Sequence, residues 1–165
     1  MLDKVEGLRN TIISLDRKTE KSVEKLHSKL GIIILDSITS LGSVAFNLIL
    51  VFFLYRTGQD SWIYLITALA TCWAVIYPIK RLMGRERPKN HVDMVFERDS
   101  FPSGHSGTAF TTAVLLSSFY QMRAAFFTLA IMVAFSRIYL EDHFLSDVVT
   151  GSIIGIAVGM LVLNL

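Results

Sequence analysis

Three polar clusters in the second half of the chain contain the side chains best suited to chemistry. They are KRLMGRERP (80–88), PSGH (102–105) and SRIYLEDHFLSD (136–147), and the segments around them are otherwise almost wholly apolar. Ionisable residues beside a membrane-spanning segment are functional candidates by default. These clusters are therefore the first candidates for a functional site.

The third cluster offers a nucleophile or a base. His143 and Asp147 are four residues apart, which makes them neighbours on one helical face. A carboxylate bonded to one ring nitrogen fixes the tautomer and leaves the other nitrogen free to react. Arg137 lies six residues before His143 and can reach the same region. On spacing alone, a buried structural pair explains His143 and Asp147 about as well.

The first cluster offers cations. Lys80 and Arg87 are seven residues apart, so they share a face if the helix continues past Ile79, with Pro88 marking a stop. An ammonium and a planar guanidinium together suit a phosphoryl group. Basic residues after an apolar span are also common membrane-interface anchors, so this cluster is weak support when taken alone.

The second cluster, PSGH, precedes an apolar segment and so lies where a helix begins. Free N–H groups and the positive end of the helix dipole face an anion there, and Gly104 lets the backbone approach closely. The Ser103 hydroxyl adds a donor, or it only caps the helix. His105 is not explained by capping, because a cap does not need an imidazole.

Together the clusters predict a metal-free phosphoryl-transfer site. We expect His143 to attack phosphorus in line and form a phosphohistidine, and His105 to protonate the leaving oxygen and then activate water. The groups expected to hold the three equatorial oxygens are Lys80, Arg87, Arg137, Ser103 and Gly104.

A two-histidine metal site is the competing use of His105 and His143. It needs further ligands, of which Asp147 is the best placed, and the three cations nearby repel a divalent ion. The single cysteine, Cys72, excludes an internal disulfide and a cysteine-based zinc site, and its apolar surroundings predict core packing. His27 and His91 lie outside the clusters, and we interpret them as ordinary surface residues.

The elements that must position these clusters are membrane helices. Of the 165 residues, 52% are hydrophobic, and the mean hydropathy of +0.51 predicts one small all-α domain, 1–165, in a transmembrane bundle. A net charge of +2, without a run of like charges, argues against nucleic acid as a partner. About five segments have the apolar length that a span needs: 33–55, 62–79, 107–120, 124–139 and 148–163. The third is polar, but its threonines and serines can bond carbonyls or neighbouring helices.

Residues 1–30 are too polar to span a bilayer. Leu8, Ile12 and Leu15 recur at helical spacing, which predicts an amphipathic helix that lies at the membrane interface or, equally well, a solvated helix packed on the bundle. Ser14 or Asp16 can cap a break between two short helices.

Alternation of the five spans brings residues 1–30, the long link 80–104 and the loop after 139 to one side of the membrane. All lysines and arginines except Arg56 and Arg123 fall on that side, and the positive-inside rule then places it in the cytoplasm of a multi-pass cell-membrane protein. In the last span, Gly151, Gly155 and Gly159 recur every four residues, which suits an internal helix contact or a homodimer.

The three clusters resemble the signature of the type 2 phosphatidic acid phosphatase superfamily, which also includes vanadium haloperoxidases. KRLMGRERP matches its K-x6-R-P element, FPSGH its P-S-G-H element and SRIYLEDHFLSD its S-R-x5-H-x3-D element, in order and without a departure. The stretch 35–43, LDSITSLGS, also looks like the start of the family's next span.

The resemblance implies an integral membrane phosphatase that needs no metal or other cofactor. It implies that His143 is the nucleophile, Asp147 its partner and His105 the acid and base. It also implies the phosphate-binding residues, which are Lys80, Arg87, Ser103, Gly104 and Arg137. Membrane members commonly have six spans, and here segment 1–30 takes the place of the first. Bacterial members usually face outward, opposite to the side that the charge distribution indicates.

A site at the membrane surface, on a chain with almost no soluble mass, favours substrates whose tails stay in the bilayer. The candidates are phosphatidic acid, phosphatidylglycerophosphate and polyprenyl diphosphates such as the undecaprenyl carrier. A vanadate-dependent haloperoxidase-like enzyme and a non-catalytic lipid-phosphate binding or transport protein are the alternatives. Binding alone does not need the set of His105, His143 and Asp147.

Overall fold

The computed structural model describes residues 2–88 and 99–165, and this part of the chain is entirely helical, as predicted. Its seven α-helices are α1 Leu2–Glu24, α2 Lys29–Thr39, α3 Val44–Arg56, α4 Ser61–Met83, α5 Gly104–Tyr120, α6 Arg123–Tyr139 and α7 Leu145–Leu163. A short 3-10 turn, Ser40–Gly42, separates α2 from α3. His91 lies outside the described residues, so its interpretation stays a prediction.

Helix α5 is the central element of the bundle and packs against α4, α6 and α7. Four of its hydroxyl side chains are compatible with this position because each donates to a nearby acceptor: Thr108, Thr111, Thr112 and Ser117. Thr111 donates to the Gly155 carbonyl at 3.1 Å, and Thr112 donates to Asn47 Oδ1 of α3 at 2.7 Å. The predicted use of these residues for bonds to carbonyls and neighbouring helices is confirmed.

The glycines of α7 lie against α5. A Cβ at Gly151 would meet the Ser103 backbone, one at Gly155 would meet the Gly107 backbone, and one at Gly159 would meet Val114. The two helix backbones can approach this closely because α7 has no side chain at these three positions. The internal contact therefore accounts for the glycine spacing, and the homodimer remains a prediction.

Two described helices, α4 and α7, are long and apolar enough to cross a membrane. Helices α2 and α3 with the turn between them make a third crossing if they form one span, bent by 54°. The span expected over 33–55 is therefore not one straight helix, because the chain turns at Ser40–Gly42 and Ser43 caps α3. Helices α5 and α6 have 17 residues each, at the lower limit for a span. The count of about five remains a prediction.

Helix α1 is continuous, so the predicted break at Ser14 or Asp16 is wrong. The chain breaks instead after Glu24, and Ser28 caps α2 by accepting from the Gly31 N–H at 3.0 Å. Helix α1 contacts α6 and α7, where Val23 is buried, while Leu8 on its apolar face is 63% exposed. One part of the apolar face thus packs on the bundle, and another part remains open to the surroundings.

We predict that Gly155→Ala destabilises the protein although alanine favours helices. The added methyl collides with the Gly107 backbone, which cannot move like a side chain, and overpacking of this kind costs about 1–3 kcal/mol. Gly7→Ala is the matched control, because a Cβ there meets nothing within 4 Å. Thermal unfolding in detergent should show a lower midpoint for Gly155→Ala alone; a midpoint at or above that of the parent would contradict the close-contact explanation.

Candidate active site

The three polar clusters meet at one end of the bundle, where α4 and α6 end and α5 and α7 begin. The Ser103 N–H donates to the Asp147 carbonyl at 3.0 Å, which joins the second cluster to the third. The Ser100 N–H donates to the Arg85 carbonyl at 2.7 Å, which joins the first cluster to the residues just before the second. The convergence expected from alternating spans is therefore present in the structure.

His143 lies in a tight loop between α6 and α7. The backbone N–H groups of Asp142 and His143 both donate to the Arg137 carbonyl at 3.1 Å, and Glu141 has a positive φ of 57°. This folds the loop back onto the end of α6 and leaves His143 only 2% exposed. The histidine is consequently fixed between the end of one helix and the start of the next.

His143 and Asp147 are neighbours, as predicted, but they are not hydrogen-bonded. His143 Nδ1 lies 3.7 Å from Asp147 Oδ2, which is too long for a hydrogen bond. The carboxylate is already engaged, because Oδ1 accepts from Arg85 at 2.7 Å and Oδ2 accepts from the Phe144 N–H at 2.9 Å. Catalytic hydrogen bonds are often long before substrate binds, and this pair has the geometry of one that can tighten.

The surroundings of His143 keep its ring neutral. Burial is the largest cause that lowers the pKa of His143 well below its usual value. Positive charge nearby lowers this pKa further; in decreasing order, the residues responsible are Arg137, Arg87, Lys80 and His105. A neutral imidazole is the form that can act as a nucleophile, so the field of the cations favours the reactive state.

Lys80 and Arg87 both reach this region, but not from one helix face. Helix α4 ends at Met83, and Gly84 takes a left-handed conformation with φ 52°, so Arg87 lies beyond the helix. The expectation that the two share a helical face is therefore wrong, because the helix stops at a glycine before it reaches Arg87. Lys80, near the end of α4, donates to the Asp99 carbonyl at 2.7 Å.

Arg137 is fixed by two polar partners. Its Nη1 donates to Thr39 Oγ1 of α2 at 2.9 Å, and its Nη2 lies 3.0 Å from Asp142 Oδ2. The other oxygen of Asp142 lies 3.8 Å from Arg87 Nη1, so one carboxylate faces two guanidinium groups. Asp142 was not selected from the sequence; its position beside His143 in a cation-rich cluster was the only available signal.

In the PSGH cluster, Ser103 caps α5. Its hydroxyl accepts from the Ser106 N–H at 3.4 Å and from Ser106 Oγ at 3.0 Å, and still has a proton of its own to donate. A Cβ at Gly104 would lie 2.7 Å from the Trp73 ring, so this glycine allows close packing on α4. His105 follows in the first turn of α5, partly exposed and close enough to His143 to affect its pKa.

Arg85 is a site residue that the sequence did not indicate. Besides Asp147, its guanidinium donates to Ser146 Oγ at 2.7 Å and to Asp16 Oδ2 at 2.8 Å. Asp16, in α1, also accepts from the Ser146 N–H at 3.0 Å. Asp16 is thus a helix cap after all, but it caps α7 and not α1. The sequence signal that could have indicated this contact is the position of Asp16 four residues after Ile12, on the apolar face of an amphipathic helix.

His27 is not an ordinary surface residue, and that interpretation was wrong. Its Nε2 lies 2.6 Å from the Tyr139 carbonyl oxygen, and its Nδ1 lies 3.4 Å from Glu141 Oε1. The Tyr139 hydroxyl also donates to the Leu26 carbonyl at 2.8 Å. The junction between α1 and α2 is therefore bound to the end of α6, next to the loop that holds His143. Cys72, by contrast, is fully buried in the core as predicted.

Within residues 2–88 and 99–165, no three His, Cys, Asp or Glu side chains form a group that could hold a metal ion. His105 and His143 therefore have no third ligand of these types among the residues that the structure describes. What surrounds the two histidines is a set of cations and helix-start N–H groups, the chemistry that binds an anion.

A family model for the PAP2 superfamily matches residues 61–165, and the chain belongs to this superfamily. Lipid A 1-phosphatase of Porphyromonas gingivalis is 30% identical in an alignment of 136 residues that covers 77% of this chain and 29% of that protein. Lipid A 1-phosphatase of Rhizobium etli is 36% identical in an alignment of 111 residues that covers 58% of this chain and 47% of that protein. The chain thus spans less than half the length of either relative.

Two solved structures have the same fold over most of their length. LpxE of Aquifex aeolicus superposes with a TM-score of 0.80 at 26% identity. The superposition covers 90% of this chain and 94% of the LpxE chain. A transmembrane PAP2 type phosphatidylglycerolphosphate phosphatase of Bacillus subtilis also superposes with a TM-score of 0.80 at 26% identity. That superposition covers 94% of this chain and 86% of the phosphatase chain.

We predict that His143 titrates below the usual histidine pKa of about 6.5. Burial and the neighbouring cations disfavour the imidazolium, so the ring should stay neutral as the pH falls through the range in which an exposed histidine becomes protonated. NMR of the protein with labelled histidine, assigned with a His143→Gln variant, measures this midpoint. A midpoint at or above the ordinary value would show that the field at His143 is not the one described.

Proposed function

We propose that this chain is a membrane phosphatase that releases phosphate from a lipid phosphate or diphosphate through a phosphohistidine. The observation that carries the proposal is one buried, neutral histidine, His143, beside Asp147 and surrounded by Lys80, Arg87 and Arg137. The PAP2 relatives are named as lipid phosphatases, which supports the same reaction class.

The reaction has two steps. In the first, Nε2 of His143 attacks phosphorus, the P–N bond forms as the bond to the leaving oxygen breaks, and His105 gives that oxygen its proton. In the second, His105 takes a proton from water, the water oxygen attacks phosphorus, and the P–N bond breaks to return His143 with inorganic phosphate. Asp147 compensates the charge that develops on the His143 ring.

The cations have a defined role in both steps. The three equatorial oxygens carry the developing charge, and fixed cations stabilise it without reorganisation. We assign Lys80, Arg87 and Arg137 to these oxygens, together with the Ser103 hydroxyl and the Gly104 N–H. Asp142, which faces both arginines, holds their guanidinium groups in place before the substrate arrives and yields to the phosphate when it binds.

We infer a lipid substrate because an apolar cavity lies in the bundle one helical turn from His105. This cavity of about 200 Å³ lies between α3, α5 and α6, and its α5 wall is formed by Ala109, Thr112, Ala113 and Leu116. Ala109 is one turn after His105 on the same face of α5, so the cavity begins on the side where the leaving oxygen receives its proton. A lipid chain attached to that oxygen would extend into it.

The substrates to test first are lipid A 1-phosphate and phosphatidylglycerophosphate, which the names of the relatives suggest, then phosphatidic acid and undecaprenyl diphosphate. We place the protein in the cell membrane as a multi-pass protein with its site at one surface. The vanadate-dependent and the non-catalytic alternatives have no observation in their favour.

Phosphate release from this panel in detergent, with EDTA present, tests the proposal. We expect release by the parent protein and a loss of at least about a thousandfold in His143→Gln, because removal of an activated nucleophile leaves only binding and electrostatic contributions. His105→Gln should lose less on substrates with good leaving groups, which need no proton.

Gly7→Ala is the control for this assay, since residue 7 lies on α1 with open space around it. Acid quench during turnover should trap a phosphorylated protein that His143→Gln does not form. Release from no lipid by the parent, or equal release by the parent and His143→Gln, would refute the proposed function.

A narrower cavity should select against long chains. We predict that Ala113→Leu, which places a larger side chain in the cavity, raises KM several-fold for long-chain lipid phosphates and leaves hydrolysis of a short, water-soluble phosphate monoester unchanged. The short substrate reports on the phosphate site itself. An equal loss on both substrates would mean that the variant distorts α5, and no loss on either would place the lipid chain elsewhere.

A further inference from the structure

Helix α1 reaches the site through one buried carboxylate. Asp16 is only 3% exposed, and its side chain bonds Ser146, the neighbour of Asp147 in sequence, and Arg85, which itself bonds Asp147. Its Oδ1 accepts from the Ser146 N–H at 3.0 Å, and its Oδ2 accepts from Ser146 Oγ at 2.7 Å and from Arg85 at 2.8 Å. A buried charge is costly unless it is paired and hydrogen-bonded, and Asp16 is both.

Arg85 joins this carboxylate to Asp147. Its Nη1 bonds Asp147 Oδ1 at 2.7 Å, while its Nη2 bonds Asp16, so the two ends of one rigid fork are held by two different acids. The guanidinium carbon also lies 4.1 Å from the centre of the Phe144 ring. A planar fork fixed on three sides leaves Asp147 little freedom to rotate.

The position of Asp147 decides what it can do for His143. Asp147 Oδ2 is 3.7 Å from the ring nitrogen, so a small shift of the His143 ring toward a carboxylate held in place is enough to form the bond. If Asp16 is lost, Arg85 is free to turn both nitrogens onto Asp147 and draw Oδ2 away from the ring. If Arg85 is lost, Asp16 and Asp147 remain as two like charges in one buried region, and neither keeps its geometry.

We propose, on the basis of the proposed function, that Asp16 and Arg85 are positioning residues. They hold the Asp147 carboxylate where it can orient the His143 ring. The N-terminal helix is then a part of the active site. Neither residue touches the phosphate in this assignment. Their loss should lower kcat and leave KM nearly unchanged.

Four variants test the network: Asp16→Asn, Arg85→Lys, Arg85→Gln and the double variant Asp16→Asn/Arg85→Gln. We expect Asp16→Asn to lower kcat at least about tenfold, since a catalytic group misplaced by about 1 Å costs on the order of a hundredfold. Asparagine keeps an oxygen for the Ser146 N–H, so the cap on α7 survives. The double variant should be no slower than Arg85→Gln, because residues that act as one unit are not additive.

Glu6→Gln is the matched control, because it removes a carboxylate from the exposed part of the same helix. It should keep the parent kcat, and thermal midpoints in detergent will identify any variant that has lost its fold. Arg85→Lys keeps the charge without the fork and should recover less than half of what Arg85→Gln loses. An unchanged kcat in a folded Asp16→Asn protein, or a loss confined to KM, would overturn the proposal.

A second readout does not depend on turnover. The ring signals of His143 in the NMR spectrum should shift in Asp16→Asn and stay as in the parent in Glu6→Gln, because only the first changes the position of Asp147. Active parent protein with an unchanged Asp16→Asn rate and spectrum refutes this inference alone. An inactive parent refutes the proposed function, and in that case the NMR comparison still decides whether Asp16 positions the pair.

Discussion

The close approach of α5 and α7 is the constraint on which the rest of the structure depends. Gly151 and Gly155 let the backbone of α7 touch that of α5, and at the end of this contact the Ser103 N–H bonds the Asp147 carbonyl. The start of α5, with His105, and the start of α7, with Asp147, are thereby fixed side by side. A side chain at either glycine would separate the two halves of the site before any catalytic residue was changed.

Electrostatics then determines what the site can bind. Lys80, Arg87 and Arg137 lie around a buried histidine, an arrangement that repels a proton from the ring and attracts an anion to its side. The cations would also repel one another, and the carboxylate of Asp142 between two of them offsets this. Under the proposed function, Asp142 and a phosphate would satisfy the same arginines in turn, and Asp142 stabilises the cation cluster before substrate binds.

The sequence could predict that the three clusters lie together because much of the pattern behind that prediction is local. His143 and Asp147 are four residues apart in the sequence, and the glycines of α7 also recur every four residues. Both spacings can be seen without the fold. The alternation of apolar spans was enough to bring the three clusters together. Where prediction failed, the deciding contact was to a residue distant in sequence or to a backbone feature. Gly84 ends α4 early, and Asp16 bonds Ser146 across the fold.

The N-terminal helix illustrates why such a contact escapes pattern reasoning. An aspartate on an amphipathic helix predicts either a solvated charge or a local cap, since both satisfy it with groups nearby in sequence. In the fold, Asp16 accepts from the Ser146 N–H and hydroxyl at the start of α7, where Asp147 accepts from the Phe144 N–H. The first N–H groups of a helix need acceptors. A carboxylate on a helix from elsewhere in the chain, here Asp16 on α1, can supply such an acceptor. The Asp16 contacts and the buried Val23 together hold α1 against the bundle.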